Sequence, residues 1–193
     1  MTRVTGILLA AGSGSRFGSN KLLHPLLTNL PIAVTAARNL KAVVPHSIAV
    51  VRPSADELSA LLAAEGLEIV VCANAEEGMG ASLACAAAAV EGGGAFMIAL
   101  ADMPFIRSST LEAVRDSLMA GTQLVAPYFR TRRGHPVGIG ERYRDELLGT
   151  TGDEGARKLL ESHAADLVKI PVGDPGVVRD IDKPADLAPP LYI

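Results

Sequence analysis
A three-layer α/β/α architecture around a mostly parallel sheet is the fold class that this chain predicts, on three observations. Short apolar runs alternate with stretches of helical periodicity, the central runs are nearly continuous in apolar residues rather than apolar at every second residue, and glycines stand where the helical stretches stop. Strands buried on both faces read as continuous apolar runs, whereas one-sided antiparallel strands alternate. The chain has 193 residues, 49% of them hydrophobic, so a single domain over 1–193 with a full core is expected.

Residues 4–10, 47–51, 67–72, 95–100, 124–127 and 167–172 read as strands. Between them, 31–44, 54–65, 81–91 and 108–120 carry helical patterns. Ser54 with Glu57, and Ser109 with Glu112, have capping-box spacing and predict two of the helix starts. Gly66 and Gly121 stand where C-terminal helix glycines belong. The segment "YFRTRRGHPVGIG" breaks the alternation and predicts a hairpin-like β-excursion added to the sheet. Two short helical patterns follow, "ERYRDELLG" and "DEGARKLLESH".

Composition excludes several functions. The net charge of −3 argues against a general nucleic-acid binder, so an anionic ligand has to be held by local positive groups. Apolar stretches such as "LACAAAAV" fall well short of a membrane span. The N-terminal run reads as a first strand rather than a signal peptide. Cys72 and Cys85 form no C-x-x-C pair and no disulfide framework, which fits a reducing cytoplasm.

The first strand runs into "LLAAGSGSRFGSNKLL", and a loop there lies at a strand's carboxyl end, where open α/β sheets bind ligands. Glycines let backbone N–H groups approach phosphate oxygens, and Arg16 and Lys21 add charge. A Walker loop needs Gly-Lys-Ser/Thr in succession, but Gly18 is followed by Ser19, Asn20 and Lys21. The dinucleotide fingerprint needs G-x-G-x-x-G, but the spacing is Gly12-x-Gly14-x-x-x-Gly18. A second strand ends in "ALADMPFI". Asp102 there is placed to hold a divalent metal, since magnesium takes few carboxylates plus phosphate oxygens and waters. An Asx-type turn before Pro104 is the structural alternative. In the tail, "VVRDIDKPADL" puts Asp180 and Asp182 two residues apart, on one face of an extended segment. Asp180 is favoured as a second ligand, and Asp182 as the cap of the helix that Pro184 would open.

Three further loops bear on ligands. In "EEGMGASL", Gly78 and Gly80 permit close approach, and Ser82 either meets nucleotide or caps a helix. "FRTRRGHPV" gathers Arg130, Arg132, Arg133 and His135 as a dock for an acceptor phosphate or, alternatively, a solvated charged face. In "TGDEGARKLL", Asp153 either faces an acceptor or caps the next helix.

In this order, "LLAAGSGSRFGSNKLL", "EEGMGASL", "ALADMPFI", "RRGHPVGIG", "TGDEGARKLL" and "DIDKPADL" make the chain resemble the molybdenum cofactor nucleotidyltransferases, the cytidylyltransferase branch most closely. The resemblance spans nearly the whole chain and implies the Rossmann-like nucleotide-diphospho-sugar transferase fold. It implies transfer of CMP from CTP, or of another NTP's nucleotide, to a pterin-phosphate acceptor with release of pyrophosphate, using Mg2+, and it implies a recipient molybdoenzyme as partner. Carried over residue by residue, Ala10, Ala11, Gly12, Gly14, Arg16 and Lys21 hold the nucleotide, with Gly80 and Ser82 added from the later loop. Lys21, Arg16 and Asp102 are then expected to carry the chemistry; the residue readings above add Asp180 to Asp102 as metal ligand, and Arg133 and His135, with Asp153, as the acceptor-facing set. "LAAG" resembles the cytidine-using branch, in which this loop reaches the base. The alternatives are a guanylyltransferase, a cytidylyltransferase for another phosphorylated small molecule, a cofactor-delivery chaperone without turnover, and an NAD-binding oxidoreductase. The glycine spacing speaks against the last.

Overall fold
The computed structural model describes residues 2–12 and 20–188. Eight strands join one sheet. At its centre β1 (Val4–Leu9) pairs in parallel with β2 (Ser47–Val51) on one side and β4 (Ala95–Leu100) on the other. Outside β2 lies β3 (Glu68–Val71), also parallel. Beyond β4 the excursion inserts: β7 (Val137–Ile139) runs antiparallel between β4 and β5 (Leu124–Phe129), and β6 (Arg132–Arg133) folds back on the end of β5. β8 (Leu167–Pro171) pairs in parallel with β5.

Successive side chains of a strand face opposite ways, and both faces here are apolar. Leu8 packs with Leu40, Leu62 and Leu118, from α1 (Ile32–Val43), α2 (Asp56–Ala64) and α4 (Ser108–Met119). Ile7 and Leu9 pack with Leu83, Leu147 and Leu160, from α3 (Met79–Ala89), α5 (Arg144–Leu148) and α6 (Arg157–Ser162). These are the two outer layers of the predicted three-layer fold. Each leucine taken fully out of water contributes about 1.5–3 kcal/mol. Among the described residues no helix is long and apolar enough to cross a membrane.

The two helix stops are found where expected. Gly66 and Gly121 have φ of +81° and +97°. Each donates to the carbonyl three residues back, while the next residue donates to the carbonyl five residues back, as Leu67 N does to Leu62 O at 3.3 Å and Thr122 N to Ser117 O at 3.1 Å. That is the Schellman arrangement, and it satisfies carbonyls that the helix end leaves open.

The helix starts correct the sequence reading. Neither predicted capping box forms, because α2 and α4 begin after Ala55 and Arg107 without a side-chain cap of their own. Ser54 takes φ +63° and lies before the cap position, and Ser109 falls inside the first turn of α4. The α4 donors are met from a distant segment instead: Asp174 accepts from Arg107 N at 2.9 Å and from the Thr110 hydroxyl at 2.8 Å. Asp182 does not cap the last turn either. The cap position before Pro184–Leu187 is Lys183, and the Asp182 carboxylate turns toward Lys21.

Four parallel strands in one half of the sheet put four carboxyl ends on one edge. The segments that follow β1, β2, β3 and β4 therefore converge there.

Candidate active site
A cavity of about 690 Å³ opens at that edge. Its walls include Ala11 and Gly12 after β1, Arg52 after β2, Glu76 and Gly78 after β3, and Asp102 after β4. Lys21, Ser82 and Asp153 complete it.

Hydrogen bonds continue past the strand ends and fix these loops. Ala10 N donates to Val50 O at 2.9 Å and Ala101 N to Leu9 O at 3.0 Å, so the two central loops leave the sheet in register. Arg52 Nη2 donates to the Ala11 carbonyl at 2.7 Å and ties the root of the glycine loop to the end of β2. The turn Lys21–Leu23 carries the lysine, with only 8% of the residue exposed.

Charge concentrates at one point. Lys21 Nζ donates to Asp102 Oδ2 at 2.9 Å and to Asp182 Oδ1 at 3.2 Å. Burial works against the ammonium charge, but the two carboxylates outweigh it and raise the lysine pKa above its ordinary value. Asp180 joins them: one carboxylate oxygen each from Asp102, Asp180 and Asp182 lies within 4.8 Å of the others. Burial, then the negative charges of Asp182 and Asp102, raise the Asp180 pKa, with Lys21 opposing. Three mutually repelling hard oxygen donors fit a divalent cation of the magnesium or manganese kind.

Ala11, Gly12, Lys21, Ser82, Asp102 and Asp153 thus share one cavity. Asp180 stands beside Asp102, as the tail motif suggested, and Asp182 joins both. Ala10 is 2% exposed, behind the wall. Gly14 and Arg16 lie outside the described residues. Ser82 sits within α3, whose cap position is Gly78, so its alternative as a helix cap is corrected.

Gly80 has a different neighbour from the one the motif suggested. A Cβ there would come within 2.5 Å of the Thr151 backbone, and at Gly78 it would meet Gly152 and Asp153. Both glycines answer a loop-to-loop contact, which the Thr150 hydroxyl reinforces by donating to the Gly80 carbonyl at 2.9 Å. Gly80→Ala is therefore expected to destabilise the protein by roughly 1–3 kcal/mol, as overpacking does. A melting temperature equal to wild type would show that the 150–153 segment yields freely.

The acceptor set predicted from sequence divides between the cavity and its surroundings. Asp153 is in the cavity, whereas Arg133 lies in β6 opposite Tyr128 and is absent from its walls. His135 donates through its backbone N to Val177 O at 2.8 Å, and its Nδ1 is buried with no hydrogen-bond partner among the described residues. Burial lowers its pKa, against the Ile98 carbonyl and the Asp102 charge. Arg52 and Glu76 were missed. Arg52 follows β2 directly and Asp102 lies two residues past the end of β4, so the rule that found Asp102 applies to Arg52 as well.

Known proteins resemble this chain in sequence and fold. A family model described as a MobA-like NTP transferase domain matches residues 6–167. Nicotine blue oxidoreductase of Paenarthrobacter nicotinovorans is 30% identical over 187 residues, covering 93% of this chain and 92% of that one. Purine catabolism protein PucB of Bacillus subtilis is 28% identical over 191 residues, 94% and 92% of the two chains. The crystal structure of Rv0371c from Mycobacterium tuberculosis superposes with a TM-score of 0.83 at 28% identity, covering 96% and 95%. A complex of Rv0371c with manganese gives 0.79 at 25% identity, covering 96% of each chain.

Proposed function
This chain belongs to the MobA-like NTP transferase domain family and is a nucleotidyltransferase of that family, and from that membership we propose that it transfers CMP from CTP to the phosphate of a molybdopterin-type cofactor, releasing pyrophosphate, with Mg2+ as its metal. The observation that carries the reading is the pairing of buried Lys21 with Asp102 and Asp182, Asp180 alongside, at the mouth of a cavity on the carboxyl edge of a parallel sheet. The manganese complex of Rv0371c supports a divalent metal. One shared sheet supports a single domain over 1–193, and the free thiols of Cys72 and Cys85 fit a reducing cytoplasm.

The acceptor is a phosphate monoester, largely dianionic near neutral pH because its second pKa is about 6. It needs no strong general base; the obstacle is that two anions must meet. Asp102, Asp180 and Asp182 would hold the divalent cation, which when bound neutralises phosphate charge and aligns the in-line displacement. Lys21, held at the same point, stabilises the charge that develops on the departing pyrophosphate. The Ala11–Gly12 backbone, anchored by Arg52, faces the nucleotide. Asp153, in the same cavity, helps to orient the acceptor. A recipient molybdoenzyme would take the product.

The choice of base rests on "LAAG", where Ala10 and Ala11 form the turn from β1 into the loop. A pocket fitted to a pyrimidine has no room for a second ring. With one acceptor and both nucleotides in competition, kcat/KM for CTP is expected to exceed that for GTP by about tenfold, which is about 1.4 kcal/mol in transition-state binding. Preferential GMP incorporation would support a guanylyltransferase and leave the metal site and reaction type in place. A redox reading draws on the relative named an oxidoreductase. Oxidation of a reduced cofactor without pyrophosphate release would favour it.

A further inference from the structure
We infer that Asp174 is the positioning residue that holds the two carboxylate-bearing loops in register, and so sets the affinity of the Asp102–Asp180–Asp182 group for a divalent cation. This rests on the metal reading given above.

Asp174 is 2% exposed and its carboxylate accepts three hydrogen bonds. Oδ2 takes Arg107 N at 2.9 Å, at the end of the loop that carries Asp102, and the Thr110 hydroxyl at 2.8 Å, in the first turn of α4 that follows it. Oδ1 takes Gly176 N at 3.0 Å, within the segment that carries Asp180 and Asp182. One side chain therefore clasps both loops, and it does so for a helix that has no side-chain cap of its own. Two more contacts follow from the clasp. Gly176 lies against the Phe105 carbonyl, so closely that a Cβ there would collide with it. Ile181 N donates to the Asp102 carbonyl at 3.0 Å, and Ile181 is fully buried beside Leu26 and Ile32. The acid-bearing segment is thus pinned at its entry by Asp174 and at Ile181, between its two acids.

The carboxylate is needed because three donors converge on two oxygens. Asparagine would aim an N–H at one or more of them, and an unmet buried donor forces the loops apart. Metal–ligand distances tolerate only about 0.2 Å of error, so a small slip between the loops weakens the site without unfolding it.

The test titrates Mn2+ in the absence of nucleotide, following free Mn2+ by electron paramagnetic resonance, at a temperature where every variant is folded. Asp174→Asn is expected to weaken Mn2+ binding by about tenfold or more, as loss of a residue supporting metal ligands does. Thr110→Val, which keeps the shape and removes one donor, is expected to weaken it less, in the same direction. Leu118→Ala destabilises α4 from the core side and leaves both loops intact, so its Mn2+ affinity is expected to equal wild type. Amide exchange at Ile181 is expected to quicken in Asp174→Asn and not in Leu118→Ala. Unchanged affinity in both Asp174→Asn and Thr110→Val overturns the inference, as does an equal loss in Leu118→Ala. No Mn2+ binding by wild type overturns the metal reading itself, and the inference with it.

Discussion
Asp102→Asn is expected to lower turnover by about a hundredfold to a thousandfold, the loss typical of removing one preorganised charge-stabilising group, while the protein keeps its fold. Asp102 is the acid that leaves the sheet from a central strand, β4, and it lies within reach of Asp180, Asp182 and Lys21 together. Its side chain is 22% exposed, so the change creates no buried cavity. Its backbone carbonyl keeps the bond from Ile181 N whatever the side chain. Lys21 keeps Asp182. Thermal melting should therefore move little while Mg2+-dependent pyrophosphate release collapses. A folded variant with wild-type release would remove Asp102 from the metal site.

Lys21→Met should separate two quantities that a simple structural role would move together. The methionine keeps the apolar stem and removes a positive charge held at 2.9 Å and 3.2 Å from two of the three carboxylates. Without that charge the acidic group attracts a cation more strongly, so Mn2+ binding measured without nucleotide should tighten. Turnover should fall by about a hundredfold or more, because the leaving pyrophosphate loses a fixed cation. NTP affinity should weaken as well. Weaker Mn2+ binding in the variant would mean that the lysine organises the carboxylates; unchanged NTP affinity and rate would mean that it points away from the substrate.

The central strands were legible because their burial is two-sided. Residues 95–100 and 48–51 are apolar from end to end, and such short runs between helical stretches fit a parallel sheet covered on both faces. Asp102 and Lys21 were legible because position after a strand is a local property. What escaped is non-local. The spacing of Ser109 and Glu112 satisfies a capping box, yet α4 starts where Asp174, more than sixty residues later in the chain, meets its donors. Asp182 looked like a cap because of the proline that follows, but Lys21, at the other end of the chain, takes its carboxylate. Gly80 looked like a ligand contact, and its neighbour is Thr151. In each case a local rule proposed a partner and tertiary packing supplied another.

Nucleotidyl transfer at the Lys21–Asp102 site is read out by label transfer. Purified protein, Mg2+ and a molybdopterin-type acceptor are incubated with CTP labelled at the α-phosphate, and label on the acceptor is counted against pyrophosphate released. The expected result is one label transferred per pyrophosphate, abolished by chelating the metal and by Asp102→Asn. An acceptor that stays unlabelled with CTP and with each of the other nucleoside triphosphates would contradict the account.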